Sequence, residues 1–226
     1  MSKTQKYITL SLWAVLLLTM VGVMAAKFVV PHLARAEPPP VMYPADPYAL
    51  VDQNSTAFTS GSLRGHPYVA SFMFTKCNGV CPRMNGVVRS LQAELPAAVH
   101  FVSITVDPAN DDAKALKAYA ATMGADESRW HFLTGDQKQL EATALGMKVP
   151  NKDWPGAHSD RLVLVDGDGN IRGYYHCRED AEVKKLVQDA KTLAKAVTAD
   201  AAAPTGMTTA ATVGGSVVGV AGGPRP

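Results

Sequence analysis

The stretch 68-YVASFMFTKCNGVCPRMNGVVRSLQAELP-96 decides how this chain is read. Tyr68 to Phe74 form a nearly unbroken apolar run with no helical period, the pattern of a strand buried on both faces of a parallel or mixed sheet. Past Pro82, the residues Met84, Val87, Val88, Leu91 and Leu95 recur at helical spacing and define one face of a helix that ends before Pro96. Between strand and helix lie two of the three cysteines, Cys77 and Cys81. Pro82 suits a first helical turn and disfavours the α region for the residue before it, which predicts Cys81 at the helix entrance and Cys77 on the preceding loop. Gly79 permits a tight turn that brings the sulfurs together, either within disulfide reach or as a two-thiolate claw. The positive end of the helix is expected to lower at least one thiol pKa.

Working outward, the 226 residues are 47% hydrophobic with a net charge of +2. That is room for one domain of ordinary size plus appendages, and a near-neutral balance offers no electrostatic case for nucleic acid. Tyr7 to Ala26 is an uncharged, mostly Leu, Val, Met and Ala run preceded by Lys3 and Lys6, long enough to cross a bilayer. We read residues 1–6 as a cytoplasmic N-terminus and 7–30 as a transmembrane anchor. Ala34–Arg35–Ala36 also resembles a signal-peptidase site, which leaves a cleaved signal segment as the alternative. Either reading places the domain on the extracytoplasmic, periplasmic side. Residues 31–47 form a linker whose Pro38, Pro39, Pro40, Pro44 and Pro47 predict a semi-rigid extended spacer.

Tyr48 to His66 contains two short strand-like pieces around a polar turn at Asp52 to Ser55, a hairpin leading into the Tyr68 strand. Val99 to Val106 is a further strand, and Asn110 and Asp111 are cap candidates for a helix through Met123 closed by Gly124. Trp130 to Leu133 reads as a strand, Asp136 to Leu145 as a helix ended by Gly146, and Met147 to Ser159 as a surface loop. Leu162 to Val165 and Ile171 to His176 pair across the turn Asp166 to Asn170, followed by an amphipathic helix, Glu179 to Val197. The acidic turn lacks the remainder of an EF-hand pattern, which argues against calcium. Alternating strands and helices predict an α/β layer fold for residues 48–197. Residues 198–226, poor in large and charged side chains, are expected to be disordered.

The order of these elements resembles the thioredoxin fold, here a three-layer α/β domain with an N-terminal hairpin preceded by a single transmembrane helix. The details are similar to one branch, the Sco/SenC (PrrC) copper proteins of cytochrome c oxidase assembly. The matching stretches are LVDQNSTAFTSGSLRGHPYVASFMFTKCNGVCP, ITVDPANDDAKALKAYA, WHFLTG and AHSDRLVLVDGDGNIRGYY. Asn78 stands where the family often has proline, and Cys177 has no counterpart in the motif. The resemblance implies copper, Cu(I) or Cu(II), bound by Cys77, Cys81 and His158, and as partner a copper-receiving subunit of cytochrome oxidase or another copper protein. Copper chemistry agrees: soft Cu(I) takes two thiolates, and an imidazole nitrogen supports Cu(II) as well.

Each candidate also has a plainer reading. Cys77 and Cys81 could form an inert structural disulfide, or act as the redox-active pair of a thiol–disulfide oxidoreductase that reduces partner cysteines. His158 taken alone reads as a solvated loop histidine, and His66, His100, His131 and His176 are likewise unremarked by any motif. Cys177 reads as a small hydrophobe or spare thiol, with pairing between chains as the alternative. Asp107 is expected to cap or orient its loop, or else to support the site from behind.

Overall fold

The Tyr68 strand lies in the middle of the molecule. This computed structural model describes residues 2–33, 37–149 and 159–202. Helix α1 (Lys3–Leu33) is followed by strands β1 (Tyr43–Pro44), β2 (Ala49–Asp52) and β3 (Ala57–Thr59), then a 3-10 turn at Ser60–Leu63. Strand β4 (Tyr68–Met73) leads into α2 (Cys81–Glu94), β5 (His100–Thr105), α3 (Ala113–Met123), β6 (Trp130–Thr134) and α4 (Gln137–Gly146). The hairpin β7 (Arg161–Val165) and β8 (Asn170–His176) precedes α5 (Asp180–Ala202). The sheet order is β1-β8-β7-β4-β5-β6-β2-β3. Strands β4, β5 and β6 run parallel, and β7 pairs antiparallel with β4.

Every residue of β4 is buried, as an apolar run with both faces covered requires. On one face Val69 and Met73 meet α2, α3 and α5 through Met84, Val88, Leu91, Leu116, Leu186 and Leu193. On the other, Tyr68, Ala70 and Phe72 meet Leu50 and Phe58 of the hairpin and Leu140 and Ala144 of α4. Inside this core Ser71 and Ser103 Oγ lie 3.1 Å apart, and Trp130 Nε1 donates to Ser103 Oγ at 3.0 Å. Arg129 donates to the carbonyls of Gln92, Leu95 and Pro96, satisfying the C-terminal end of α2 with a cation where the helix dipole is negative.

Several expectations need correcting. The stretch 37–47 is extended, yet from Pro39 onward it is fastened to the domain: Arg172 Nη1 donates to Pro39 O at 2.6 Å, Met42 N to Ile171 O at 2.9 Å, and Tyr43 pairs with Ile171 in β1. The α3 cap is Asp112, whose Oδ1 accepts Ala115 N at 2.7 Å, because Asn110 and Asp111 are engaged elsewhere. Gly124 does close α3, in the left-handed region at φ 63°. Gly146 belongs to α4; a Cβ there would lie 2.8 Å from Asp46 Cβ, so glycine serves the close approach of the strap. Helix α5 continues past Val197 to Ala202, and the remainder of the tail expected to be disordered lies outside the described residues.

Candidate metal centre

Cys81 is the first residue of α2 and Pro82 sits in its first turn, so the strand-to-helix connection presents both cysteines where β4 ends. Both are buried, at 7% and 1% exposure. The Cys81 thiol hydrogen-bonds the Cys77 side chain and the Phe74 backbone. Gly79 N donates to Cys77 Sγ at 3.4 Å, and Cys77 N to Phe74 O at 3.3 Å, so the tight turn expected at Gly79 wraps the first sulfur. The thiol expectation is not met at Cys81. Burial pushes its pKa up and Cys77 adds to the rise, outweighing the lowering by the Phe74 backbone.

The loop is braced from behind by a residue the sequence reading assigned to a cap. Asp111 is wholly buried; its carboxylate accepts Thr75 N at 3.0 Å, Thr75 Oγ1 at 2.5 Å and Thr105 Oγ1 at 2.6 Å. It ties the end of β4, two residues before Cys77, to the end of β5. Asp107 orients the same turn, as expected: its carbonyl accepts the N–H groups of Asn110 and Asp111, and its Oδ2 accepts Asn110 Nδ2 at 2.8 Å. Lys76 Nζ reaches Asn110 Oδ1 at 2.6 Å and completes the link. Behind Cys81, the wholly buried Asn85 donates to Tyr119 Oη at 2.7 Å, and burial raises the Tyr119 pKa. Adjacent acidic residues in PANDD signalled a cap but gave no sign of which one turns inward.

Cys177 shares the apolar cluster that holds Cys77 and Cys81, and it is wholly buried. It packs as a small hydrophobe, and its burial removes the exposed sulfur that pairing between chains would need. Burial also raises its pKa. His158 lies outside the described residues, as do Trp154, Pro155 and Gly156 of its loop. Asp160, two residues further on, is tied to this region: its carbonyl accepts Cys177 N at 2.9 Å, and its carboxylate meets His176 Nδ1 at 2.9 Å and Arg178 Nε at 3.5 Å. Among the described residues no group of three or more His, Cys, Asp or Glu side chains is arranged to hold a metal. The two neighbouring sulfurs supply two soft donors.

Known proteins share this architecture. The sequence profile of the SCO1/SenC family matches residues 40–195. The SCO1 protein homolog of Bacillus subtilis (strain 168) is 32% identical over 161 residues, which are 67% of this chain and 83% of that protein. The solved structure of BsSco, a member of the Sco family of cytochrome c oxidase assembly proteins in which a disulfide switch was identified, is 31% identical. It superposes with a TM-score of 0.62 over 70% of this chain and 97% of its own. ScoI of Bradyrhizobium japonicum, solved with copper bound, is 26% identical with a TM-score of 0.51, covering 66% of this chain and 98% of its own. The α/β arrangement is the thioredoxin-like one of these structures.

Proposed function

The chain belongs to the SCO1/SenC family, and from that premise we propose that it binds copper and delivers it during cytochrome c oxidase assembly, from the extracytoplasmic side of a membrane. Cys77, Cys81 and His158 are the ligands in this reading. The observation that carries it is the pair of neighbouring buried sulfurs at the start of α2, inside the segment shared with the family. His158 is taken as the third donor from the family resemblance, and Asp160, two residues further on, is bonded to Cys177 in the cluster that contains the pair. Two thiolates suit Cu(I), and the imidazole extends the site to Cu(II). The acceptor is a copper-receiving subunit of the oxidase or another copper protein. Residues 7–30 serve as the anchor; the window Lys3–Ala25 of α1 is long and apolar enough to cross a bilayer.

Metal loading tests the reading. Fully reduced, full-length chain in detergent should retain one copper after Cu(I) reconstitution, by elemental analysis. Cys77→Ser or Cys81→Ser should abolish retention, and His158→Ala should weaken Cu(II) binding more than Cu(I) binding. Near-zero copper on folded, reduced wild-type protein overturns the proposal.

A further inference from the structure

Beyond α1, the described residues expose only five large hydrophobic side chains, and three of them are consecutive: Val41 at 53%, Met42 at 45% and Tyr43 at 50%. They form the free outer margin of the sheet, since β1 pairs with β8 alone. Tyr174 of β8 is near enough to Tyr43 and Arg161 for both to act on its hydroxyl, and Arg161 is exposed. Aliphatic, tyrosine and arginine side chains side by side are the composition that settles at a bilayer surface.

The chain's own geometry says which surface is at hand. The fold takes hold of the polypeptide at Pro39, through Arg172. Helix α1 runs on from the end of the apolar run at Ala26 to Leu33, about 10 Å at helical rise. The six steps from Leu33 to Pro39 add at most about 20 Å. A domain of this size is about 40 Å across. The tether is thus shorter than the body it holds, and it joins that body on the β1 margin. Such a leash converts a weak apolar contact into an intramolecular one at high effective concentration.

We propose that the edge formed by Val41, Met42 and Tyr43 rests on the surface of the bilayer that α1 enters. The inference rests on the reading of α1 as a membrane anchor. It also sets the direction in which the metal loop faces. Strands β4 and β8 run the same way, because β7 is antiparallel to both. Tyr43 and Pro44 pair with the start of β8 at Ile171 and Asn170, whereas Cys77 follows the end of β4. Six strand steps separate Asn170 from His176, about 20 Å. With the edge on the lipid, the cysteines face away from the membrane, toward a soluble or projecting acceptor.

The three isoleucines test each element separately: Ile8 lies in α1, Ile171 beside Tyr43, and Ile104 in mid-sheet. Full-length chain with labelled isoleucine methyls is placed, one chain per disc, in nanodiscs of phosphatidylcholine and phosphatidylglycerol doped with a gadolinium-chelating lipid. Ile171 should show relaxation enhancement roughly threefold or more above Ile104, given the shallow seating of interfacial side chains. The triple variant Val41→Ser/Met42→Ser/Tyr43→Ser, whose exposed sites leave folding intact, should bring Ile171 down to the level of Ile104. Equal enhancement at Ile171 and Ile104 with strong enhancement at Ile8 overturns the docking while leaving the anchor in place. Enhancement absent at Ile8 refutes the anchor reading, and the docking with it. If Ile171 instead shifts with protein concentration in detergent and shows no lipid effect, a second copy of the chain occupies the edge and the lipid assignment falls.

Discussion

Removing the Asp111 carboxylate should cost more than any other single change near the cysteines. It accepts three hydrogen bonds inside the protein, and no water reaches it. The half-buried Thr75 N–H is fixed by the backbone and cannot turn to another acceptor in the protein, so leaving it unpaired costs about 1–3 kcal/mol. The hydroxyls of Thr75 and Thr105 can rotate, and their lost bonds to a charged group add about 1 kcal/mol each after compensation. Asp111→Ala should therefore destabilise the domain by roughly 3–5 kcal/mol, a large share of the 5–15 kcal/mol typical of a folded domain. Asp111→Asn keeps the shape and one acceptor oxygen, and should cost about 1–2 kcal/mol. Urea unfolding of the detergent-solubilised chain measures both, with an unchanged slope as the condition for comparing midpoints. Because Thr75 lies two residues before Cys77, Asp111→Asn should also weaken Cu(I) retention in competition with a chelator while the fold persists. An Asp111→Ala protein within about 0.5 kcal/mol of wild type would refute the argument, since that is the range of an ordinary surface change.

Three further outcomes are expected. The imidazoles of His66 and His100 lie 4.5 Å apart and those of His100 and His131 6.3 Å apart; burial, then His66, His131 and Arg129, lower the His100 pKa to about 4, with Asp126 opposing. A histidine harder to protonate when folded leaves stability intact above pH 6.5 and removes it as pH falls from 6.5 toward 4. For a half-buried ring the loss should be about 1–2 kcal/mol, the unscreened figure being about 3, and urea midpoints at pH 7 and 4.5 should differ less in His100→Gln. Gly167→Ala would place a Cβ 2.9 Å from the Gly65 carbonyl carbon, which is backbone and cannot swing aside, so a thermal scan should show a loss of about 1–3 kcal/mol. In Cys177→Ser protein, Cu(I) should protect Cys77 and Cys81 from alkylation as read by mass spectrometry, and pre-oxidised protein should bind no Cu(I) until reduced; equal labelling at confirmed copper occupancy would place the metal elsewhere.

What could be read from residue order alone was local. The unbroken run Tyr68 to Phe74 is a buried strand, the spacing from Met84 to Leu91 is a helix face, and Pro82 and Gly124 punctuate as their backbones require. The cysteine pair was legible for the same reason, because four residues around one turn determine where both sulfurs go. The rest depended on partners far away in the chain. Asp111 turns inward because Thr75, 36 residues earlier, and Thr105 offer it three donors; without them a buried carboxylate would be prohibitive, and PANDD reads as a cap. Proline spacing predicted a spacer from 31 to 47, but β8, more than a hundred residues later, supplies the carbonyl and the arginine that bind it from Pro39 onward. A helix N-terminus argues for an acidified thiol, yet the depth at which Cys81 lies is a property of the packed layers, and desolvation there raises the thiol pKa. Local backbone preference is written in neighbouring residues, whereas burial, and with it the charge and reach of every group at the site, exists only once the layers have closed.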